Sequence, residues 1–187
     1  VLTYQVVMFF TSLANGAAVI ISQFFGAKNE RRLHDALHTA AAFSIIASIL
    51  ISIAGYIATP ALLSVMKTPA DIMADSVAYL RIYFLGITAT LIYNMGSGIM
   101  RAVGDSRRPL YYLIVCCVLN IALDIILVVF FKLGIAGAAV ATIISQAVSA
   151  VLVLLALCRG DTLYELRLKE LRFTPHILKN IIKIGLP

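Results

Sequence analysis

Asp124 lies inside Leu110 to Phe131, an apolar stretch long enough to cross a bilayer, and no other acidic residue of the chain sits so deep in such a run. An unpaired carboxylate in hydrocarbon is costly, so a residue of this kind marks a site for an ion, a proton or a polar partner. Asn120 stands one helical turn earlier, which puts both side chains on one helix face with oxygen atoms to offer a small cation or a proton. A further apolar run follows the short turn Lys132-Leu133-Gly134, so the two spans are antiparallel neighbours. Asp124 precedes Gly134 by ten residues and Thr142 follows it by eight; at about 1.5 Å per residue, both lie roughly 12 to 15 Å below the same membrane surface. Asp124, Asn120 and Thr142 can therefore meet at one depth.

The elements that must position these residues are membrane helices. The 187-residue chain is 61% hydrophobic and only 13% charged, with a mean hydropathy of +0.99, whereas soluble domains run near a quarter charged. The expected class is an all-α integral membrane protein, a polytopic helical bundle. Five segments reach the ~20 residues that a spanning helix needs: Leu2 to Phe25, Ala36 to Ala58, Ile72 to Met100, Leu110 to Phe131 and Ile135 to Leu157. Residues 1–158 thus hold five spans, 159–176 a polar linker, and 177–187 the start of a further helix. The chain opens in an apolar run without an initiator Met and stops at Pro187, so it reads as a piece of a larger protein, with no cleavable signal peptide in view.

The net charge of +6 would suggest nucleic acid in a soluble protein, but the basic residues alternate by loop. Lys28, Arg31 and Arg32 follow the first span, Arg101, Arg107 and Arg108 the third, and Arg159, Arg167, Lys169 and Arg172 the fifth. The opposite loops hold Lys67 and Lys132 with Asp71 and Asp75. By the positive-inside rule the first, third and fifth spans end in the cytoplasm, and Val1 lies outside the cytoplasmic membrane. The basicity is topogenic, and nucleic-acid binding is set aside.

Other polar elements have plainer readings. Cys116, Cys117 and Cys158 have neither disulfide nor metal spacing and fit small apolar packing roles. Glu30, His34 and His38 recur every four residues, a spacing that could ligate a metal but equally suits the polar stripe of a surface helix. Pro60 is expected to break the second span, and Leu163, Leu166, Leu168 and Leu171 between charges suggest a linker lying on the inner membrane surface. Gly137, Ala141, Ser145 and Ser149 form a small-residue stripe for close helix packing, leaving Thr142 and Gln146 on the adjoining face.

Several motifs resemble the multidrug and toxic compound extrusion (MATE) transporters. They are Ile21-Ser-Gln-Phe-Phe-Gly-Ala-Lys-Asn29, Gly98-Ile-Met-Arg-Ala-Val-Gly-Asp-Ser-Arg-Arg-Pro109, Asn120-Ile-Ala-Leu-Asp124, Leu133-Gly-Ile-Ala-Gly-Ala-Ala-Val-Ala-Thr142 and Ile184-Gly-Leu-Pro187. The resemblance covers essentially the whole chain. It implies a partial N-terminal lobe of a two-lobe transporter: helices two to six, the inter-lobe linker and the start of helix seven, without helix one and the C-terminal lobe. The implied activity is cation-coupled antiport, in which inward sodium or proton flow drives export of drugs or other small organic, often cationic, compounds, with no cofactor.

The resemblance also assigns roles. In one branch the first-lobe cation site corresponds to Asn120, Asp124 and Thr142, together with a tyrosine on helix four, for which Tyr79 stands here, and an aspartate on helix one. Asn94 and Gln146 are weaker candidates for the substrate cavity, or form interhelical hydrogen bonds. Two rivals follow. A lipid-linked oligosaccharide flippase of the same broad superfamily would line its cavity with several basic residues, where this chain has only Arg81 within a span. A membrane-embedded enzyme would need a nucleophile and base, paired carboxylates or a metal set, and Asp124 has no such companion.

Overall fold

A computed structural model of the chain describes residues 2–159, 165–167 and 171–185. Its helices are α1 (Leu2–Gly26), α2 (Glu30–Val65), α3 (Met73–Ala102), α4 (Arg107–Asp124), which continues as a π-helical turn (Ile125–Phe130), α5 (Gly134–Cys158) and α6 (Pro175–Gly185). Five of these are long and apolar enough to cross a membrane.

The helices stop where local chemistry ends them. Lys28 and Lys67 take left-handed φ values of 51° and 53° just past the ends of α1 and α2, and Gly104 takes 91° past the end of α3. At each of these ends the amide after the left-handed residue reaches back across the last turn: Asn29 to the Phe24 carbonyl, Thr68 to Leu63 and Asp105 to Met100. That bond satisfies a carbonyl the helix itself leaves open. Asn29 then caps α2, its side chain accepting from the Arg32 amide at 3.1 Å.

Two elements depart from the sequence expectation. α2 runs unbroken from Glu30 through Pro60 to Val65. A proline removes one amide from the ladder, and in a packed helix of this length the remaining bonds carry the chain on. At about 1.5 Å per residue its 36 residues extend about 54 Å, more than the ~30 Å apolar core of a bilayer, so the polar turns of Glu30 to His38 project from one end. The second departure is the segment after α5. Its described parts fold back onto the bundle: Leu166 is 2% exposed and sits in the core, and Leu171 packs against it. Leu163 and Leu168 lie outside the described residues.

α3 is the hub, packed against α1, α2 and α5, while α4 touches α3 little and is held mainly by α5. The main core gathers Ala17, Ile21, Leu37, Ala40, Ile99 and Leu157 where α1, α3 and α5 end and α2 begins. A smaller cluster of Phe84, Ile87 and Leu91 fills the other half. Phe84 lies against Gly55, where any side chain would overlap the ring. α4 buries only Pro109 and Cys116, so the helix that carries Asp124 stands at the edge of the bundle with most of its surface open.

Candidate polar site within the spans

Asp124 is the last α-helical residue before the backbone widens into the π-helical turn, whose Phe131 amide donates to the Ile126 carbonyl at 3.0 Å. Such turns interrupt the regular ladder and often sit beside functional residues. Here the turn is itself rich in β-branched residues, Ile125, Ile126, Val128 and Val129, whose side chains crowd a regular helix. One turn before Asp124, Asn120 projects from the same face of α4. Asp124 Oδ1 and Asn120 Nδ2 are both buried, and neither has a hydrogen-bond partner. A buried polar group left open costs about 1–3 kcal/mol, more when charged, so the pair asks for an occupant.

α5 supplies the third residue. Its small stripe Gly137, Ala141, Ser145 and Ser149 is buried and forms the contact with α4. A Cβ on Gly137 would stand 3.2 Å from the Leu127 carbonyl oxygen, and Ser149 Oγ donates to the Tyr112 carbonyl at 3.4 Å. Thr142 falls beside that stripe, exposed, its hydroxyl donating to the Ala138 carbonyl at 3.0 Å. That bond uses the hydroxyl proton and leaves the oxygen free to accept or to ligate.

Tyr79 stands apart. It lies on α3, 39% exposed, stacked on Tyr83 with ring centroids 6.5 Å apart. It borders a cavity of about 380 Å³ with Leu63, Asp75, Leu80 and Ile135. Because α3 and α4 barely meet and α5 packs on both, the structure sets Asn120 and Asp124 on consecutive turns, places Thr142 on the helix against them, and holds Tyr79 on a helix with little α4 contact. Asn94 and Gln146 are half-buried on α3 and α5.

Two other polar features have surroundings that the sequence spacing did not give. Arg81 carries its guanidinium over the Tyr56 ring at 5.0 Å, with a buried Nε that has no partner. His38 is fully buried, and both its ring nitrogens are engaged by backbone groups, which removes it as a metal ligand. Among the described residues no group of three or more His, Cys, Asp or Glu is placed to hold a metal. The i, i+4, i+8 recurrence of Glu30, His34 and His38 drew attention to that helix.

Five membrane-length helices, one of which carries the open carboxylate–amide pair, define a polytopic helical membrane protein. The MatE family model matches residues 2–126. The chain is 36% identical over 148 residues to the probable multidrug resistance protein YoeA of Bacillus subtilis, an alignment covering 77% of this chain and 32% of that protein. It superposes on an inward-facing multidrug resistance MATE family transporter with a TM-score of 0.90 at 26% identity, covering 97% of this chain and 41% of the other. An outward-facing structure of a transporter of the same description gives 0.88 at 26% identity, with 96% and 40% covered. The chain belongs to the MATE family of multidrug efflux transporters, whose members are transporters rather than enzymes. It spans about a third of the length of the curated relative. These matches lend the flippase alternative no support.

Proposed function

We propose that this chain is the greater part of the N-terminal lobe of a cation-coupled antiporter that exports small organic compounds across the cytoplasmic membrane. Asp124 and Asn120 are the heart of its cation site, Thr142 supplies a third oxygen, and Tyr79 joins when the lobe closes around the ion. The observation that carries the reading is the buried Asp124 carboxylate oxygen with no partner, one turn from an equally open Asn120 amide, in a membrane-length helix. Sodium binding or protonation neutralises the carboxylate and removes the penalty on covering α4. That shifts the balance between outward- and inward-facing arrangements, and the substrate leaves as the cation enters. Asn94 and Gln146 line the substrate path in this reading. Residues 159–176 join the lobes, and the lysine- and arginine-rich loops face the cytoplasm.

The test is efflux of a fluorescent cationic dye from vesicles holding the full-length parent protein, with sodium and pH gradients imposed separately. Efflux that follows one gradient and is lost in Asp124→Asn supports the antiporter and names its ion. Cation-driven efflux that survives Asp124→Asn overturns the assignment of the site.

A further inference from the structure

The first turns of α2 hold a second set of buried polar side chains, on a different helix from Asp124. His38 and Thr39 are both 0% exposed, and both bind backbone of the segment between α5 and α6, more than 120 residues away in sequence. His38 Nδ1 donates to the His34 carbonyl at 2.8 Å, and Nε2 accepts the Arg167 backbone N–H at 3.1 Å. Thr39 Oγ1 donates to the Asp35 carbonyl at 2.7 Å and accepts the Thr174 N–H at 3.2 Å. Around them, Arg172 pairs with Asp35 at 3.2 Å, and Leu166 sits in the core with its amide donating to the Leu157 carbonyl at 3.0 Å.

These partners dictate one protonation state. A backbone carbonyl cannot donate and a backbone N–H cannot accept, so the ring fits only as the neutral tautomer with its proton on Nδ1. A second proton on Nε2 would point at the Arg167 N–H, at a ring that is 0% exposed to solvent. We propose that His38, backed by Thr39, is a proton-released clasp that seats residues 165–167 and 171–174 on α2 and, through Thr174, the start of α6.

On α2 the neighbouring titratable groups are His34, whose ring centroid lies 3.9 Å from that of His38, and Asp35, already paired with Arg172. The described part of the segment carries Glu165, Arg167 and Arg172; Glu165 pairs with the Arg167 guanidinium at 3.3 Å, and the Arg167 backbone N–H meets the imidazole. The end of α5 carries Cys158 and Arg159, α6 begins with His176 and Lys179, and α3 ends with an exposed Arg101. α1 holds no titratable side chain but Tyr4, at its far end. The clasp does not depend on which ion drives transport, and its outcome is separable from that of the Asp124 test.

The experiment is hydrogen–deuterium exchange on the full-length parent protein at about pH 7.5 and about pH 5.5, a range that spans histidine titration, with rates corrected for intrinsic pH dependence and α5 peptides as reference. The expected result is a protection loss of about tenfold at acid pH confined to peptides over 165–174, and no such pH dependence in His38→Gln, whose amide oxygen can accept the Arg167 N–H without titrating. Thr39→Val should weaken protection at both pH values and keep their ratio, which serves as the second variant should His38→Gln fail to fold. Protection that is flat with pH in the wild-type protein overturns the clasp. So does an equal pH response in His38→Gln, or a loss that spreads evenly through α5.

Discussion

Asp124 and Asn120 leave open an acceptor and a donor in one buried place, and the two vacancies make different demands. The carboxylate oxygen is satisfied by a cation or a proton, whereas the amide nitrogen needs an acceptor, which a bound water or a further carboxylate supplies. Asp124→Asn keeps the shape and removes the charge. It should lower cation-driven efflux by on the order of 10- to 100-fold, the range of typical site-to-site coupling, while thermal unfolding in detergent stays the same or rises. Asn120→Ala removes a helper and leaves the charge, so apparent cation affinity should fall about fivefold, the equivalent of one hydrogen bond of about 1 kcal/mol, with maximal efflux retained. Equal losses in the two variants would mean that the amide is as essential as the charge. The i, i+4 spacing of this pair was readable in the sequence because helix geometry fixes it. That both inner atoms lack partners was not, since it depends on which groups the neighbouring elements turn toward that face of α4.

Between helices, glycines decide how close the elements come. A side chain on Gly96 of α3 would overlap Val153 of α5, and α5 is the helix through which α3 supports α4. Gly96→Val should cost about 1–3 kcal/mol by overpacking and weaken cation coupling through displacement of α5. Gly26→Ala, with nothing within 4 Å of the new methyl, should leave the melting temperature of the purified full-length protein unchanged. Comparable melting shifts in both variants would refute the packing argument. At this scale the small stripe Gly137, Ala141, Ser145 and Ser149 was legible from its four-residue period, and the structure buries it against α4. Pro60 misled because its missing amide, five residues before the end of a 36-residue helix, removes one bond and leaves the rest of the ladder intact. Leu166 pointed to a membrane surface because amphipathic spacing cannot tell lipid from the core of the same protein, and the π-helical turn after Asp124 left no period to read.

The lobe as a whole matches inward- and outward-facing transporters almost equally, with TM-scores of 0.90 and 0.88. Its two clusters of buried side chains tie α1, α2, α3 and α5 into one packed unit. Packed interiors hold one arrangement rather than deform by degrees, so transport should move the lobe as a body and leave its internal distances alone. Spin labels at Asp71→Cys and Leu133→Cys, two exposed positions in turns at the same end of the bundle, placed in the full-length protein without its native cysteines, test this. Their separation should change by less than about 2 Å, the displacement that counts as a rearrangement, when cation or substrate is added, while distances to the rest of the protein change. A larger shift that follows the cation and vanishes with Asp124→Asn would put the motion inside the lobe. Its hinge would then be the π-helical turn, which packs against α5, and coupling would begin as a local re-winding of one helix before it became a rocking of the whole.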